Sequence, residues 1–494
     1  MAFDPIAYIT EPRWQQSRLG LERMAELMER LGNPQDKLQI VHVAGTNGKG
    51  STCVFTASIL QAAGYRTGLF TSPAILDFCD RIRVDGRNIT VEELRDITME
   101  VRAQADAMDD HPTEFELMTA VAFLQFARRG CDICVVEVGM GGRLDSTNII
   151  KRPAVCAITP IALDHTAFLG DTIGAIANEK AGIIKFGSRV VSAAQERDAD
   201  TVIRKAVGRN DAHLRFVRAS DVLGTSEDFS YYLEPGWGHF QLGMKGSYQP
   251  QNAALALEIV YALREEGWSI SDDAIREGLA QARWPGRFEL MGQNPPFIVD
   301  GGHNPQGARA LVDSLAQWYP DRPVFFVMGV LADKDYNTML DTVIAYPGTR
   351  AFFTIEPPNP RALTSADLAA AIKNRVEAAN RRERKTHPLM PRLHAVHVVE
   401  AGSVERGVAL ALDTAWGLME DDLISGPSAD PFDTLSGWNK APSYANPVIV
   451  AFGSLYSVAQ VERAYRSQTA SEDGETAEEG FVAIDVPEED GEGE

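Results

Sequence analysis

The sequence predicts an α/β protein with two domains, each on a mostly parallel sheet. Short apolar runs alternate with helical patterns along most of the chain, as in successive βα units. A Gly-rich turn separates the first run from the first helical pattern. A second series begins near residue 297, after the Pro/Gly punctuation of Trp284-Pro285-Gly286-Arg287. At roughly 100–200 residues per domain, the 494 residues suit two or three domains.

Residues 38–44 alternate apolar and polar side chains as a strand. A helix should follow the Gly-rich turn, run through residue 63 and use Gly64 as its C′ residue. Further strands are expected over 67–70, 133–138 and 154–159. Helices are expected over 91–108 and 115–128, the first opened by Thr90 with Glu93 three residues on. The second series supplies strands near 297–299, 324–328, 350–355 and 448–452. The expected division is an N-terminal domain over 1–284, a smaller C-terminal domain over 285–467 and an acidic tail over 468–494. Residues 373–447 are harder to read. They hold a basic run, Arg381-Arg382-Glu383-Arg384-Lys385, read as a solvated helix face or loop, and a Pro/Ser/Gly-rich stretch. Past about residue 467 the apolar periodicity is lost, and disorder is expected.

The net charge is −22, but residues 471–494 hold eleven Asp/Glu and no Lys/Arg, so half of it sits in the tail. Such acidity excludes a broad nucleic-acid or anionic-membrane binder, which needs a basic face. It leaves room for a small anionic ligand in a locally basic pocket. With 45% hydrophobic and 23% charged residues the composition is globular, and no apolar run reaches the ~18 residues of a spanning helix. The start, Met1-Ala2-Phe3-Asp4-Pro5, lacks the basic and apolar regions of a signal peptide. Five cysteines are too few for a disulfide scaffold, so a reducing cytoplasm is expected. Cys131 and Cys134 have redox or zinc spacing. No second pair follows, however, and the run into Val135-Val136 reads as the start of a buried strand.

The strongest chemical signal is Gly45-Thr46-Asn47-Gly48-Lys49-Gly50-Ser51-Thr52, between a strand and a helix. Glycines let consecutive N–H groups surround phosphate oxygens, and a helix N-terminus favours the same anion. Lys49 suits β/γ-phosphate charge, and Ser51 or Thr52 suits phosphate or magnesium. The string departs from the general phosphate-loop pattern: Val43 stands where the first Gly belongs, and Gly50 follows the Lys. Glu137 ends an apolar strand, where a carboxylate is costly unless paired or on a metal. Magnesium takes one or two carboxylates with phosphates and waters, and Glu137 fits that role. His165 reads equally as a hydrogen-bonded core histidine or a functional one. A lone Lys on a helix, such as Lys180, is usually solvated.

The phosphate-loop variant resembles that of the Mur ligase superfamily of ATP-dependent amide-forming enzymes. Within it, the chain is similar to the folylpolyglutamate synthase/dihydrofolate synthase family over about residues 10 to 465. Separated motifs in order carry the resemblance: Thr71-Ser72-Pro73, Asp80-Arg81-Ile82, Phe115-Glu116, Glu137-Val138-Gly139-Met140-Gly141-Gly142-Arg143-Leu144-Asp145, and Leu163-Asp164-His165-Thr166. Glu179-Lys180-Ala181-Gly182-Ile183-Ile184-Lys185, Pro285-Gly286-Arg287-Phe288-Glu289, Asp300-Gly301-Gly302-His303-Asn304-Pro305 and Asp333-Lys334-Asp335 complete them.

The resemblance implies an N-terminal P-loop ATPase-like domain and a smaller Rossmann-like C-terminal domain. It implies ATP contacts from Asn47, Gly48, Lys49, Gly50, Ser51, Asn252, Arg287, Asp300 and His303, and magnesium, as two ions, held by Ser51, Ser72, Glu137 and His165. Catalytic roles fall to Lys49, His165, a carbamylated Lys180 and Arg287, whose planar fork suits a transferring phosphoryl group. The family places Ser72, Phe115, Asp145 and Ser146 near the pterin. Phe115 reads either as stacked on that ring or as an ordinary core residue. Ala74, Asp80 and Ser146 depart from the family's usual residues, on the folate side.

The expected reaction is glutamate addition to a folate, to dihydropteroate, or to both. ATP converts the carboxylate to an acyl phosphate, which the glutamate amine attacks. A monomer is expected, with ATP, L-glutamate and folate or dihydropteroate as small-molecule partners and no nucleic acid or membrane. The closest rival is a Mur ligase acting on a UDP-sugar, which shares the ATP site. Against it stand Ser72-Pro73 with Asp80-Arg81-Ile82, and no evident UDP-binding domain before Gly45. A GTPase-type switch predicts an Asn-Lys-x-Asp motif, which the chain lacks. A catalytically silent relative should lack Lys49, Glu137 or His165, and all three are present.

Overall fold

Strand β1 (Ile40–Ala44) is buried at every position, and its side chains alternate between two cores. Val41 and Val43 pack with Phe55, Ile59, Leu257 and Ile275 on one face. Ile40 packs with Phe70, Leu117 and Phe123 on the other. The computed structural model describes residues 3–14, 18–233, 236–386, 396–425 and 446–470.

Seven more strands join β1: β2 (Thr67–Phe70), β3 (Ile82–Val84), β4 (Arg87–Asn88), β5 (Ile133–Glu137), β6 (Val155–Ile158), β7 (Arg189–Ser192) and β8 (His213–Phe216). Their order is β4-β3-β2-β5-β1-β6-β7-β8, with β3 and β4 antiparallel at one edge and the remaining six parallel. The register pairs Val43 with Glu137 and Ala44 with Ile158. The carboxyl ends of β1, β5 and β6 therefore lie side by side, where ligands bind in open α/β sheets. A small antiparallel sheet follows, of β9 (Val222–Leu223), β10 (Phe229–Leu233) and β11 (Gly236–Phe240).

The later sheet contains β12 (Glu289–Gln293), β13 (Pro296–Asp300), β14 (Val324–Met328), β15 (Thr349–Ile355), β16 (His397–Gly402) and β17 (Val448–Phe452). Its order is β12-β13-β17-β14-β15-β16, parallel except for β12 at one edge.

The expected strands and the helix after the Gly-rich turn are present, with ends shifted by a residue or two. That helix is Lys49–Ala62, and Gly64 follows it at φ +86°. The helix expected over 91–108 stops earlier, at Val91–Ala105, and Ala107 and Met108 continue only as turns. Its Thr90–Glu93 capping box forms in both directions. The next helix starts one residue early, as Glu114–Arg128, because Thr113 and Glu116 form a second box. Cys131 precedes β5 rather than belonging to it, and all five cysteines are buried and free. Within the stretch that resisted reading, the described residues form helix Ser365–Thr386, β16 and helix Val404–Ser425. Arg381 and Arg382 of the basic run lie exposed on the first of these helices. Most of the Pro/Ser/Gly-rich stretch, and the tail beyond residue 470, lie outside the described residues. Among the described residues, no helix is long and apolar enough to cross a membrane.

Candidate active site

A cleft with a cavity of about 300 Å³ lies between the carboxyl end of the first sheet and the second sheet. Asn47, Gly48, Lys49, Gly50, Ser51, Ser72, Glu137, His165, Lys180, Asn252, Arg287, Asp300 and His303 all line it. Phe115, Asp145 and Ser146 do not.

The phosphate-loop glycines serve the geometry of the helix start. Gly48 is the N-cap of helix Lys49–Ala62 at φ +86°, and a Cβ there would sit 2.3 Å from the Asn252 amide oxygen. No side chain caps this helix, so its first-turn N–H groups remain open toward the cleft. The N–H groups of Thr46 and Asn47 already donate to the Pro160 carbonyl, at 3.0 and 3.3 Å. The donors left for an anion are thus those at the helix start. Lys49 Nζ donates to the Thr46 carbonyl at 3.1 Å and lies 3.9 Å from Glu137 Oε1.

Glu137, the last residue of β5, is 5% exposed. Its Oε2 accepts from the Ser72 backbone N–H at 3.2 Å, and burial holds its carboxyl above the ordinary range against the pull of Lys49. Ser51 is buried and its hydroxyl accepts from Gln249 Nε2 at 3.4 Å. A buried carboxylate with two serine hydroxyls is a hard-oxygen donor set, which fits magnesium completed by phosphates and water. Among the described residues, no three His, Cys, Asp or Glu side chains gather as a protein-only metal cage.

Lys180 corrects the expectation that an isolated helical lysine is solvated. It ends helix Ile173–Lys180, is 5% exposed, and its Nζ donates to the Gly45 carbonyl at 2.7 Å. Desolvation, aided by Lys49, brings its amine down to about 7.

His165 has φ +51° and starts the short helix Thr166–Leu169. Its side chain is 43% exposed, which excludes the fully buried core histidine, and its Nε2 lies 4.0 Å from Asp164 Oδ2. Desolvation in the cleft, opposed by Asp164, lowers the imidazole to about 4. Asp164 itself accepts from Lys334 Nζ at 2.7 Å and lies 3.9 Å from His303 Nε2. Burial pushes the Asp164 carboxyl up, but His165 and Lys334 outweigh it and hold it well below the ordinary carboxylate range.

Other contacts also cross between the sheets. Asn304 Nδ2 donates to Asn47 Oδ1 at 2.9 Å, and Asn47 Nδ2 donates back to Asn304 Oδ1 at 3.3 Å. Tyr248 donates across to Asp300 Oδ2 at 2.9 Å, and on the second side the Phe288 N–H donates to the same oxygen at 3.0 Å. Desolvation keeps Asp300 above the ordinary carboxylate range even with Arg287 nearby. Lys334 and Asn304 stand in quoted motifs, but no sequence signal gave them or Tyr248 their partners; only the fold pairs them.

Of the expected pterin residues, Ser72 lines the cleft, while Phe115, Asp145 and Ser146 stand outside its lining. The Phe115 ring lies 5.9 Å from Phe70 and 5.9 Å from the Arg81 guanidinium carbon. Asp145 accepts from Met140 N–H at 2.9 Å and from Thr147 N–H at 3.0 Å, so it shapes its own loop. Asp80 likewise accepts from Ile75 and Leu76 N–H at 3.0 and 2.7 Å, fixing the loop after Ser72-Pro73.

Known proteins match this architecture. The Mur ligase middle domain matches residues 43–260, and the Mur ligase glutamate ligase domain matches 286–415. The chain is 40% identical over 392 residues to dihydrofolate synthase/folylpolyglutamate synthase of Bacillus subtilis, covering 75% of this chain and 90% of that protein. It is 39% identical over 369 residues to folylpolyglutamate synthase of Lacticaseibacillus casei, covering 72% and 85%. Mycobacterium tuberculosis folylpolyglutamate synthase complexed with ADP superposes with a TM-score of 0.78 at 29% identity, covering 94% of this chain and 99% of that one. Escherichia coli FolC in complex with DHPP and ADP gives 0.75 at 28%, covering 95% and 99%.

Proposed function

The chain belongs to the folylpolyglutamate synthase/dihydrofolate synthase family of Mur ligases, and from that membership we propose how its cleft works. It is an ATP-dependent ligase that adds L-glutamate to a folate, to dihydropteroate, or to both. Its relatives are folate enzymes, which sets aside a UDP-sugar acceptor.

One observation carries the assignment of roles: an uncapped helix start with Lys49, on the first sheet, faces Arg287 and His303 from the second across one cavity. The N–H groups of the first turn and Lys49 hold the ATP phosphates, and Asn252 packs against Gly48 beside them. Arg287 faces the γ-phosphate, where its two-pronged donor set follows the spreading charge of phosphoryl transfer. Glu137, Ser51, Ser72 and His165 hold magnesium, proposed as two ions, which supplies charge neutralisation at the phosphates when bound. Lys180, with a depressed amine pKa, is poised to be carbamylated, which would replace a cation beside the loop with an anion.

A carboxylate oxygen of the acceptor attacks the γ-phosphorus of ATP, the bond to the β-phosphate oxygen breaks, ADP leaves, and an acyl phosphate forms. The glutamate amine then attacks its carbonyl carbon, phosphate leaves, and the amide forms. Asp164–Lys334 and Asn47–Asn304 hold the two sides together over this intermediate and exclude water from it. Phe115, Asp145 and Ser146 border the pterin end.

We divide the chain at 284/285 into the two working domains. Both halves of the cleft come from one chain, which supports a monomer, and five free cysteines support a reducing cytoplasm. Glutamate-dependent ADP release with dihydropteroate or tetrahydrofolate tests the reading. No release with either acceptor would overturn it.

A further inference from the structure

We propose that Trp284 is a positioning residue that sets the height of Arg287 over the phosphate loop. The inference rests on the reading above, in which Arg287 meets the transferring phosphoryl group.

Trp284 is 5% exposed, and its ring lies against the first turn of helix Lys49–Ala62. A Cβ on Gly50 would sit 3.0 Å from the indole Nε1 and 3.5 Å from Cε2, so a larger residue after Lys49 would have to displace the ring. This explains why the loop departs from the general pattern there. The Arg83 guanidinium carbon lies 4.8 Å from the ring centroid and supports the indole from β3. The indole N–H is buried without a hydrogen-bond partner among the described residues. An unsatisfied buried donor is costly, so the ring is held there by shape and stacking.

Two and four residues on, the chain is tied to the other sheet. Gly286 N–H donates to Glu289 Oε2 at 2.7 Å, and the Gly286 carbonyl accepts from Gly301 N–H at 2.8 Å. Phe288 N–H donates to Asp300. Arg287 thus sits between two residues fixed to the second sheet, and Trp284 fixes the preceding end of the same strut to the phosphate loop. Three residues reach about 10 Å at most, so a shift of the indole passes directly to Arg287.

The test compares wild type with Trp284→Leu, Trp284→Phe, Arg287→Ala and the Trp284→Leu/Arg287→Ala double variant. ATP is varied with glutamate and dihydropteroate or tetrahydrofolate saturating, and ADP binding is measured by calorimetry. Trp284→Leu should lower kcat about 10–100-fold, the cost of a misplacement near 1 Å, with ATP KM and ADP Kd within about threefold of wild type. Trp284→Phe keeps the plate and should stay within about threefold. In the Arg287→Ala background, Trp284→Leu should cost less than about twofold more, because the residue it positions is gone.

Wild-type kcat in Trp284→Leu, parallel loss of kcat and ADP affinity, or full additivity with Arg287→Ala would each overturn the proposal. If Trp284→Leu does not fold, Arg83→Met decides: a two- to fivefold fall in kcat, about the worth of the lost stacking, supports it, and unchanged kcat overturns it. An inactive wild type would instead refute the folate ligase reading and is seen first.

Discussion

Asp164 and Lys334, 170 residues apart in sequence, meet at 2.7 Å and join the loop after β6 to the loop after β14. Both side chains are nearly buried, at 11% and 12% exposed, so solvent screens the pair weakly. The loop that carries His165 is therefore held from the opposite side of the cleft.

Removing Lys334 leaves a largely buried carboxylate beside His165 and His303 without its direct cationic partner. Lys334→Met should lower unfolding stability by about 1–3 kcal/mol in urea titrations. Lys334→Met with Asp164→Asn should cost less than the sum of the single changes, since both remove one interaction. Full additivity would show that the two side chains do not stabilise each other.

Lys49→Ala should reduce turnover by roughly 10²–10³-fold with either acceptor, as expected for loss of a group aimed at developing phosphoryl charge. ADP release measures it, and an unchanged melting profile shows that the fold survives. Retained turnover would contradict the phosphate-loop assignment.

Only a neutral amine attacks CO2, and burial brings the Lys180 amine down to about 7, so carbamylation should be favoured above that pH and fail as pH falls below it. Enzyme stripped of CO2 should lose activity and regain it with bicarbonate at pH 8, but not near pH 6. With 13C-bicarbonate, wild type should give a carbamate carbon signal that Lys180→Ala lacks. Activity indifferent to CO2 would remove this role.

The parallel strands β1, β2, β5, β6, β13, β14, β15 and β17 and the phosphate loop were legible because their signals are local. β1 is a buried alternating run, and Gly48 and Lys49 carry phosphate chemistry in themselves. Strands β3, β4, β7, β8, β12 and β16 and the small sheet of β9–β11 escaped because each is at least partly exposed and lacks the continuous apolar run of the buried strands. Lys180 was misjudged from sequence because its burial depends on the Gly45 carbonyl, 135 residues away. The same holds for the partners of Asp164 and Asn47, which only the second sheet supplies. The departure at Asp80 became intelligible once its carboxylate was seen to gather three successive backbone N–H groups.

Phe115 lies beside the cleft rather than in its lining, half-buried against Phe70 and Arg81. If it faces the pterin, Phe115→Leu should raise KM for dihydropteroate or tetrahydrofolate roughly 3–10-fold, the worth of one aromatic contact, and leave ATP KM unchanged. Unchanged acceptor KM with lowered stability would make it a core residue only.

The most direct test is a panel of dihydropteroate, dihydrofolate and tetrahydrofolate, each with ATP, magnesium and L-glutamate, reading ADP and product mass together. One ADP per product and a product heavier by one glutamate residue are expected from at least one acceptor. ADP release without a heavier product, or no ADP with any acceptor, would contradict the folate ligase reading.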